Sequence, residues 1–273
     1  MIRDSNTIKR LAWVTDIHLD FMEPEQIRTF CRKITEHCPD ALLIGGDIGT
    51  ATSISSYLMM LENELSCPIY FVLGNHDYYH GSIKGVRDEM ETNYQQSDQL
   101  NWLPLTGVVG LTEQTCLIGH DGWGDGRLGD YRNSTVMLND YLLIQELAGL
   151  AANKRLTVLK KLGDEAAAYI RIQLQSALKH YQKVIVLTHV PPFKEACWYQ
   201  GEVADDNWLP HFSCKAVGEV LEEVMLQHMD RVMTVLCGHT HNSGVAEILP
   251  NLVVKTGAAA YGKPQLQELL LIE

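Results

Sequence analysis

Five short polar clusters each follow an apolar run: Asp16-Ile17-His18, Gly46-Asp47, Gly74-Asn75-His76-Asp77, His189, and Gly238-His239-Thr240-His241. Their side chains offer carboxylate, imidazole and amide donors, which suit hard or borderline divalent ions such as Mn, Fe, Zn or Co. The thiolates that mark structural zinc sites are missing from the set. One such cluster alone means little, because a lone histidine is commonly a surface or hydrogen-bonded core residue. Five in order, each supplying a ligand type, point to a metal centre. Gly46, Gly74 and Gly238 are expected to turn the backbone tightly at φ above zero, so that the next side chain enters a crevice. His37, His80, His120, His180, His211 and His228 lack this context; His37, His180 and His228 fall on or at the ends of helical segments.

The elements that must position these residues are legible as continuous aliphatic runs: 11–15, 41–45, 69–73, 184–188 and 232–237. Runs of this kind read as strands buried on both faces. Helical periods over roughly 24–37 and 51–66 separate the first three, giving a β-α-β-α-β start and a largely parallel sheet. Ligands bind such sheets beyond the carboxyl ends of the strands, where all five clusters lie. A further helix is expected over 83–97, with short strands near 107–111 and 115–119. Residues 122–132 are irregular, and 139–180 read as two or three helices broken at Gly149 and at Gly163-Asp164. Strands at 244–249, 252–256 and 266–272 are expected in a second sheet packed on the first. The whole chain, 1–273, reads as one α/β domain with an irregular and helical insert at about 120–181.

The bulk properties narrow the function. The chain is 46% hydrophobic and 21% charged, enough for a sizeable core and too apolar for extended disorder. No apolar run approaches the ~20 residues that span a bilayer. Met1 to Arg10 lacks the apolar core of a signal peptide, so the expected location is the cytoplasm. Seven scattered cysteines without a CxxC pair agree with reduced thiols, and make the Asn133-Ser134-Thr135 glycosylation match coincidental. A net charge of −12 disfavours a nucleic-acid track. No segment matches HExxH, GxxxxGK[ST] or GxSxG, which argues against zincin proteases, P-loop enzymes and serine hydrolases of that type.

The ordered string DxH, GD, GNH[DE], H, GHxH resembles that of the calcineurin-like metallophosphoesterase superfamily, and runs here from residue 16 to 241. The resemblance implies a four-layer α/β/β/α sandwich of mixed sheets with two divalent metal ions at the sheet edge, Mn or Fe favoured over Zn or Co. Carried across, Asp16, His18 and His241 hold one metal, Asn75, His189 and His239 hold the other, and Asp47 bridges them. A hydroxide bridging the metals is the implied nucleophile, and His76 is the catalytic residue that faces the scissile bond without ligating metal. Two dications against Asp16, Asp47 and one hydroxide leave the crevice locally positive despite the acidic chain. After Asp47 comes Ile48-Gly49-Thr50-Ala51, without the Asp-Arg-Gly of the Ser/Thr protein phosphatases, and His76 separates the chain from relatives with Cys or Arg there. The string is most like the cyclic-nucleotide phosphodiesterase branch.

The expected activity is therefore hydrolysis of a small phosphodiester or nucleotide-type phosphate ester. A phosphomonoesterase, a nuclease and a non-catalytic scaffold are the competing expectations. Scaffold relatives lose ligands, whereas none is lost here; a nuclease wants a basic groove, and Lys154, Arg155, Lys160 and Lys161 form the one cluster, expected to be a solvated face. Substrate selection is expected from Gly119–Arg127, where Trp123 could stack a base and Arg127 grip a phosphate, and from the aromatic loop Phe193, Trp198, Tyr199 and Trp208.

Overall fold

The computed structural model describes residues 8–273, apart from the side chains of residues 93 and 94. Most of the segment examined for a signal peptide, residues 1–7, lies outside the described residues. The first sheet is laid down by β1 (Arg10–Val14), β2 (Ala41–Gly45), β3 (Ile69–Val72) and β4 (Leu100–Trp102), all parallel. Between them run α1 (Pro24–Glu36), α2 (Ile54–Glu64) and α3 (Ile83–Gln96). Local sequence starts α1: Pro24 follows Glu23, whose side chain forms a reciprocal capping box with Gln26, and Ile27, Phe30, Cys31 and Ile34 bury one face.

After the single turn α4 (Leu103–Thr106) come β5 (Val109–Gly110) and β6 (Thr115–His120), then the turn α5 (Asp140–Leu143) and α6 (Ala152–Ala177). Next are β7 (Lys183–Thr188), the hairpin β8 (Trp198–Tyr199) and β9 (Glu202–Val203), the turn α7 (Leu209–Phe212), and α8 (Lys215–Gln227). The chain closes with β10 (Val232–Cys237), β11 (Gly244–Leu249), β12 (Leu252–Thr256) and β13 (Glu268–Leu271). The second sheet has the order β11-β12-β10-β7-β6-β5, parallel through its centre and antiparallel at both edges.

Alternation along the strands builds the four layers. Leu11, Trp13, Leu43, Tyr70 and Val72 face Leu117, Ile185, Leu187 and Leu236 of the second sheet, forming the core between sheets. Their neighbours Ala12, Val14, Leu42, Ile44 and Phe71 point the other way, onto α1, α2 and α3. Ile118, Val184, Val186, Met233 and Val235 bury the opposite face of the second sheet under α6 and α8. The result is the α/β/β/α sandwich of mixed sheets. Among the described residues, no helix is long and apolar enough to cross a membrane.

Three expectations need correction. The last strand, β13, does not join the second sheet; it pairs antiparallel with β1 at the edge of the first. Gly163 does not break a helix, because α6 runs through it for 26 residues. Leu159 and Leu162 pack into the core over the first sheet, and Ala166, Ile170 and Leu174 into the core over the second, so α6 straddles both. At the crossing point Gly163 is needed for space: a Cβ there would lie 2.7 Å from the Asp125 Cβ. Gly149, with φ of +69°, does interrupt the chain ahead of α6. Arg155 is not part of a solvated face; it is buried, stacked 3.9 Å over the Tyr141 ring, and its Nε donates to the Tyr131 hydroxyl.

Candidate active site

The five clusters converge from both sheets on one edge of the sandwich. Asp16, His18 and Asp47 leave the ends of β1 and β2; Asn75 and His76 follow β3; His189 follows β7; His239 and His241 follow β10. Five of these residues sit in left-handed backbone: Asp16 (φ 50°), His18 (42°), Asp47 (52°), His239 (70°) and His241 (60°). Non-glycine residues there are strained, and such strain collects at functional sites. The glycines play a different part from the one expected. Gly46 has positive φ, at 91°, but Gly74 and Gly238 are required for close approach. A Cβ on Gly74 would stand 2.1 Å from Asp47 Oδ1, and one on Gly238 1.9 Å from Asp16 Oδ2.

The donor atoms form two sets sharing one carboxylate. In the first, ligand atoms of Asp16, His18, Asp47 and His241 all lie within 4.8 Å of one another. His18 Nε2 and His241 Nε2 are 3.2 Å apart, and His241 Nε2 is 3.4 Å from Asp16 Oδ1. In the second, Asn75 Oδ1 lies 3.1 Å from His189 Nε2 and 3.0 Å from His239 Nδ1, and the two nitrogens are 3.2 Å apart. Asp47 belongs to both: its Oδ1 is 3.4 Å from His189 Nε2 and its Oδ2 3.8 Å from His18 Nε2.

The outer contacts fix which atoms face inward. His189 Nδ1 donates to the Gly45 carbonyl at 2.8 Å and His239 Nε2 to the His211 carbonyl at 3.1 Å, leaving the opposite lone pairs turned into the site. Asn75 Nδ2 donates to Asp140 at 2.8 Å and to the Tyr79 hydroxyl at 3.1 Å, so its Oδ1 is the inward atom. Burial holds His18 and His239 down to about 3, hence neutral. Burial, aided by the neighbouring Asp16 and Asp77 carboxylates, pushes Asp47 well above the usual carboxylate range. Imidazole lone pairs and carboxylates forced together in a buried site are a donor set short of a cation, and the arrangement fits divalent metal.

His76 belongs to neither set, although its ring lies 4.7 Å from that of His18. Its backbone N–H donates to Asp47 Oδ1 at 2.9 Å, while its ring lies against Tyr79 at 4.3 Å and lines the pocket. That pocket, of about 330 Å³, is also lined by Met137, Asn139, Tyr199, Phe212 and Tyr261. Its size falls within the range, ~300–1,000 Å³, of small-molecule sites.

The loop at 119–127 does not line this pocket. Asp121 accepts from Leu73 N–H, Tyr78 Oη and Trp102 Nε1, Trp123 is buried, and Asp125 accepts from Ala216 N–H and Arg127. Arg127 is bound to Asp125 and Asp164, so it is not free to grip a phosphate. The loop braces the strand end that carries Asn75 and His76. Of the second aromatic loop, Tyr199 reaches the pocket, packed on Trp208 and Phe212. Asp77, Tyr79, Asp140, His211 and Tyr261 were not anticipated. Asp77 had a signal, the fourth position of GNHD: it accepts the backbone N–H groups of Ile48, Gly49 and Gly74, each at 2.8 Å, tying two cluster-bearing turns together.

Comparison with known proteins agrees with this geometry. Residues 9–243 match the calcineurin-like phosphoesterase family. A probable cyclic nucleotide phosphodiesterase from Pseudoalteromonas sp. (strain SM9913) is 36% identical over 81 residues, covering 25% of this chain and 31% of that protein. The match thus spans about a third of that curated relative. Phosphopantetheinyl hydrolase (PptH) from Mycobacterium tuberculosis superposes with a TM-score of 0.66 at 13% identity, covering 98% of this chain and 96% of its own. A dimetal phosphatase from Danio rerio gives 0.58 at 15% identity, covering 95% and 90%. At these identities the structural likeness establishes the shared fold. The sandwich, the donor cluster at its edge and a family match over most of the chain lead to one conclusion: the chain belongs to the calcineurin-like phosphoesterase family.

Proposed function

We propose that this protein hydrolyses a small phosphodiester or nucleotide-type phosphate ester at a centre of two divalent metals. The observation that carries the proposal is Asp47, whose two oxygens face two separate donor sets. Asp16, His18 and His241 would hold one ion, Asn75, His189 and His239 the other, with Asp47 between them. Carboxylate, amide and imidazole donors accept Mn, Fe, Zn or Co, and Mn or Fe is the working choice. When bound, such ions neutralise phosphate charge and make a water acidic enough to attack phosphorus near neutral pH.

The chain's own contribution is placement and proton transfer. Asp140 and Tyr79 hold the Asn75 amide, and the carbonyls of Gly45 and His211 hold the rings of His189 and His239. His76 would stabilise charge on the phosphoryl oxygens and protonate the leaving oxygen. In the free protein burial lowers it to about 4, so an anionic substrate must raise it on binding for the ring to carry that proton. The diester preference is supported by the phosphodiesterase similarity, which covers only part of each chain. Seven free cysteines and the net charge of −12 support a reducing, cytoplasmic setting and a small-molecule substrate in preference to nucleic acid.

Metal analysis combined with a hydrolysis screen tests the proposal. Two equivalents of metal, with chelator-sensitive hydrolysis of bis-p-nitrophenyl phosphate or a cyclic nucleotide faster than of p-nitrophenyl phosphate, are expected. Metal-independent turnover, no turnover, or a monoester preference would overturn it.

A further inference from the structure

The donor clusters explain how a phosphate is held and leave open what holds the rest of a substrate. Beside His18 two aromatic rings stand half in water: Tyr261, which lines the pocket, is 49% exposed, and Phe21, packed on it outside the lining, is 54% exposed. Their centroids are 4.6 Å apart with planes inclined at 42°. The Tyr261 ring lies 4.5 Å from the His18 ring and 5.2 Å from that of His241. One exposed aromatic is ordinary on a protein surface. A contacting pair drawn from opposite ends of the chain, abutting two of the donor residues, is not accounted for by packing, since both rings keep apolar area exposed.

The other aromatics of the pocket are satisfied within the protein. Tyr199 packs on Trp208 and Phe212, with centroids 4.7 and 5.3 Å away, and the Tyr79 hydroxyl donates to Asp140 at 2.7 Å. Phe21 and Tyr261 have no such cover, yet their backbones are fixed. Phe21 closes a short 3-10 turn whose N–H donates to the His18 carbonyl at 3.1 Å, and Tyr261 leads into Gly262 at φ +71°. The two segments touch, a Cβ on Gly262 falling 3.3 Å from the Phe21 carbonyl oxygen. The residues lining the pocket include no Lys or Arg, the exposed Lys263 lying in the adjoining depression, and rigid aromatic faces suit a planar, uncharged group.

We propose that Phe21 and Tyr261 form a subsite for the heteroaromatic base of a nucleotide-type phosphodiester, beside the His18 and His241 donors. The proposal rests on the phosphodiesterase reading and narrows it to substrates bearing a base on one arm of the phosphate. Stacking of one base on an aromatic side chain is worth roughly 5- to 150-fold in affinity.

Two esters with one leaving group make the test: thymidine 5′-(p-nitrophenyl phosphate) and methyl p-nitrophenyl phosphate, assayed with the Mn-loaded protein. The ratio of kcat/KM, nucleoside over methyl, should fall at least roughly fivefold in Phe21→Ala and in Tyr261→Ala, mainly through KM, and recover in Phe21→Trp. An unchanged ratio would overturn the subsite while leaving the phosphodiesterase reading intact. Failure to hydrolyse either ester would overturn that reading instead. The subsite is then decided by calorimetric binding of AMP against ribose 5-phosphate: selective weakening of AMP in Phe21→Ala supports it, and equal or no weakening overturns it.

Discussion

At the floor of the pocket, Asp16, His18, Asp47 and His189 are all but excluded from water, and three of the four sit in left-handed backbone. At the rim, Phe21 and Tyr261 keep half their surface exposed and follow or precede ordinary turns. The floor is braced unevenly: His189, His239 and Asn75 are aimed by a carbonyl or carboxylate behind them, His18 Nδ1 is buried without a hydrogen-bond partner, and Gly74 and Gly238 let carboxylates approach backbone. The two rim rings pack on each other and on His18, yet no buried polar group among the described residues depends on them. Chemistry is fixed where removing one atom disrupts many others, and selectivity is placed where a side chain can change without disturbing the fold.

The comparison can be broken first at its most constrained point. Asp47→Asn should reduce turnover on the order of 10³-fold or more and lower bound metal, because one carboxylate serves both donor sets. Wild-type rate with full metal content would show that the floor is not shared. His76→Ala should spare the metal while costing roughly 10²–10⁴ in rate. Alkyl esters should suffer more than nitrophenyl esters, since an alkoxide of high pKa needs the proton to depart. Equal losses would reduce His76 to charge stabilisation, and a fall in metal content would make it a ligand.

Asp140→Ala sharpens the comparison from behind the floor. It frees the Asn75 amide, and metal affinity should drop about 10- to 100-fold while rate recovers at saturating metal. An unchanged metal titration would mean that Tyr79 alone orients Asn75. The smallest effect is expected at the rim: Phe21→Ala should shift folding stability by no more than about 0.5 kcal/mol in denaturant titration, as for surface positions without buried partners. A loss above about 2 kcal/mol would make Phe21 a structural residue.

The same division governs what the sequence reveals. Floor residues are encoded locally, as polar residues directly after strand ends with a glycine opening three of the five clusters, and that grammar brings all eight expected residues to one edge of the sandwich. Residues acting through tertiary contact leave no local mark. Asp140 lies on a single helical turn far from Asn75 in sequence, and Tyr261 follows an alanine run with no motif around it. Trp123 and Arg127 carry the composition of a binding loop, yet burial and the Asp125 and Asp164 carboxylates commit them to structure. Likewise β13 is apolar enough for either sheet, and its partner is chosen by β1, a contact between the two ends of the chain. Gly163 and Asp164 spell a helix break, but the space between Asp125 and α6 overrides that preference.

The shared role of Asp47 is tested most directly by Mn²⁺ titration of the metal-free protein, followed by electron paramagnetic resonance with metal counted on the same samples. The proposed function calls for two Mn²⁺ per chain and an exchange-coupled spectrum, in wild type and not in Asp47→Asn. One Mn²⁺ per chain, or two giving only the uncoupled signal of isolated ions, would contradict a centre built around one bridging carboxylate.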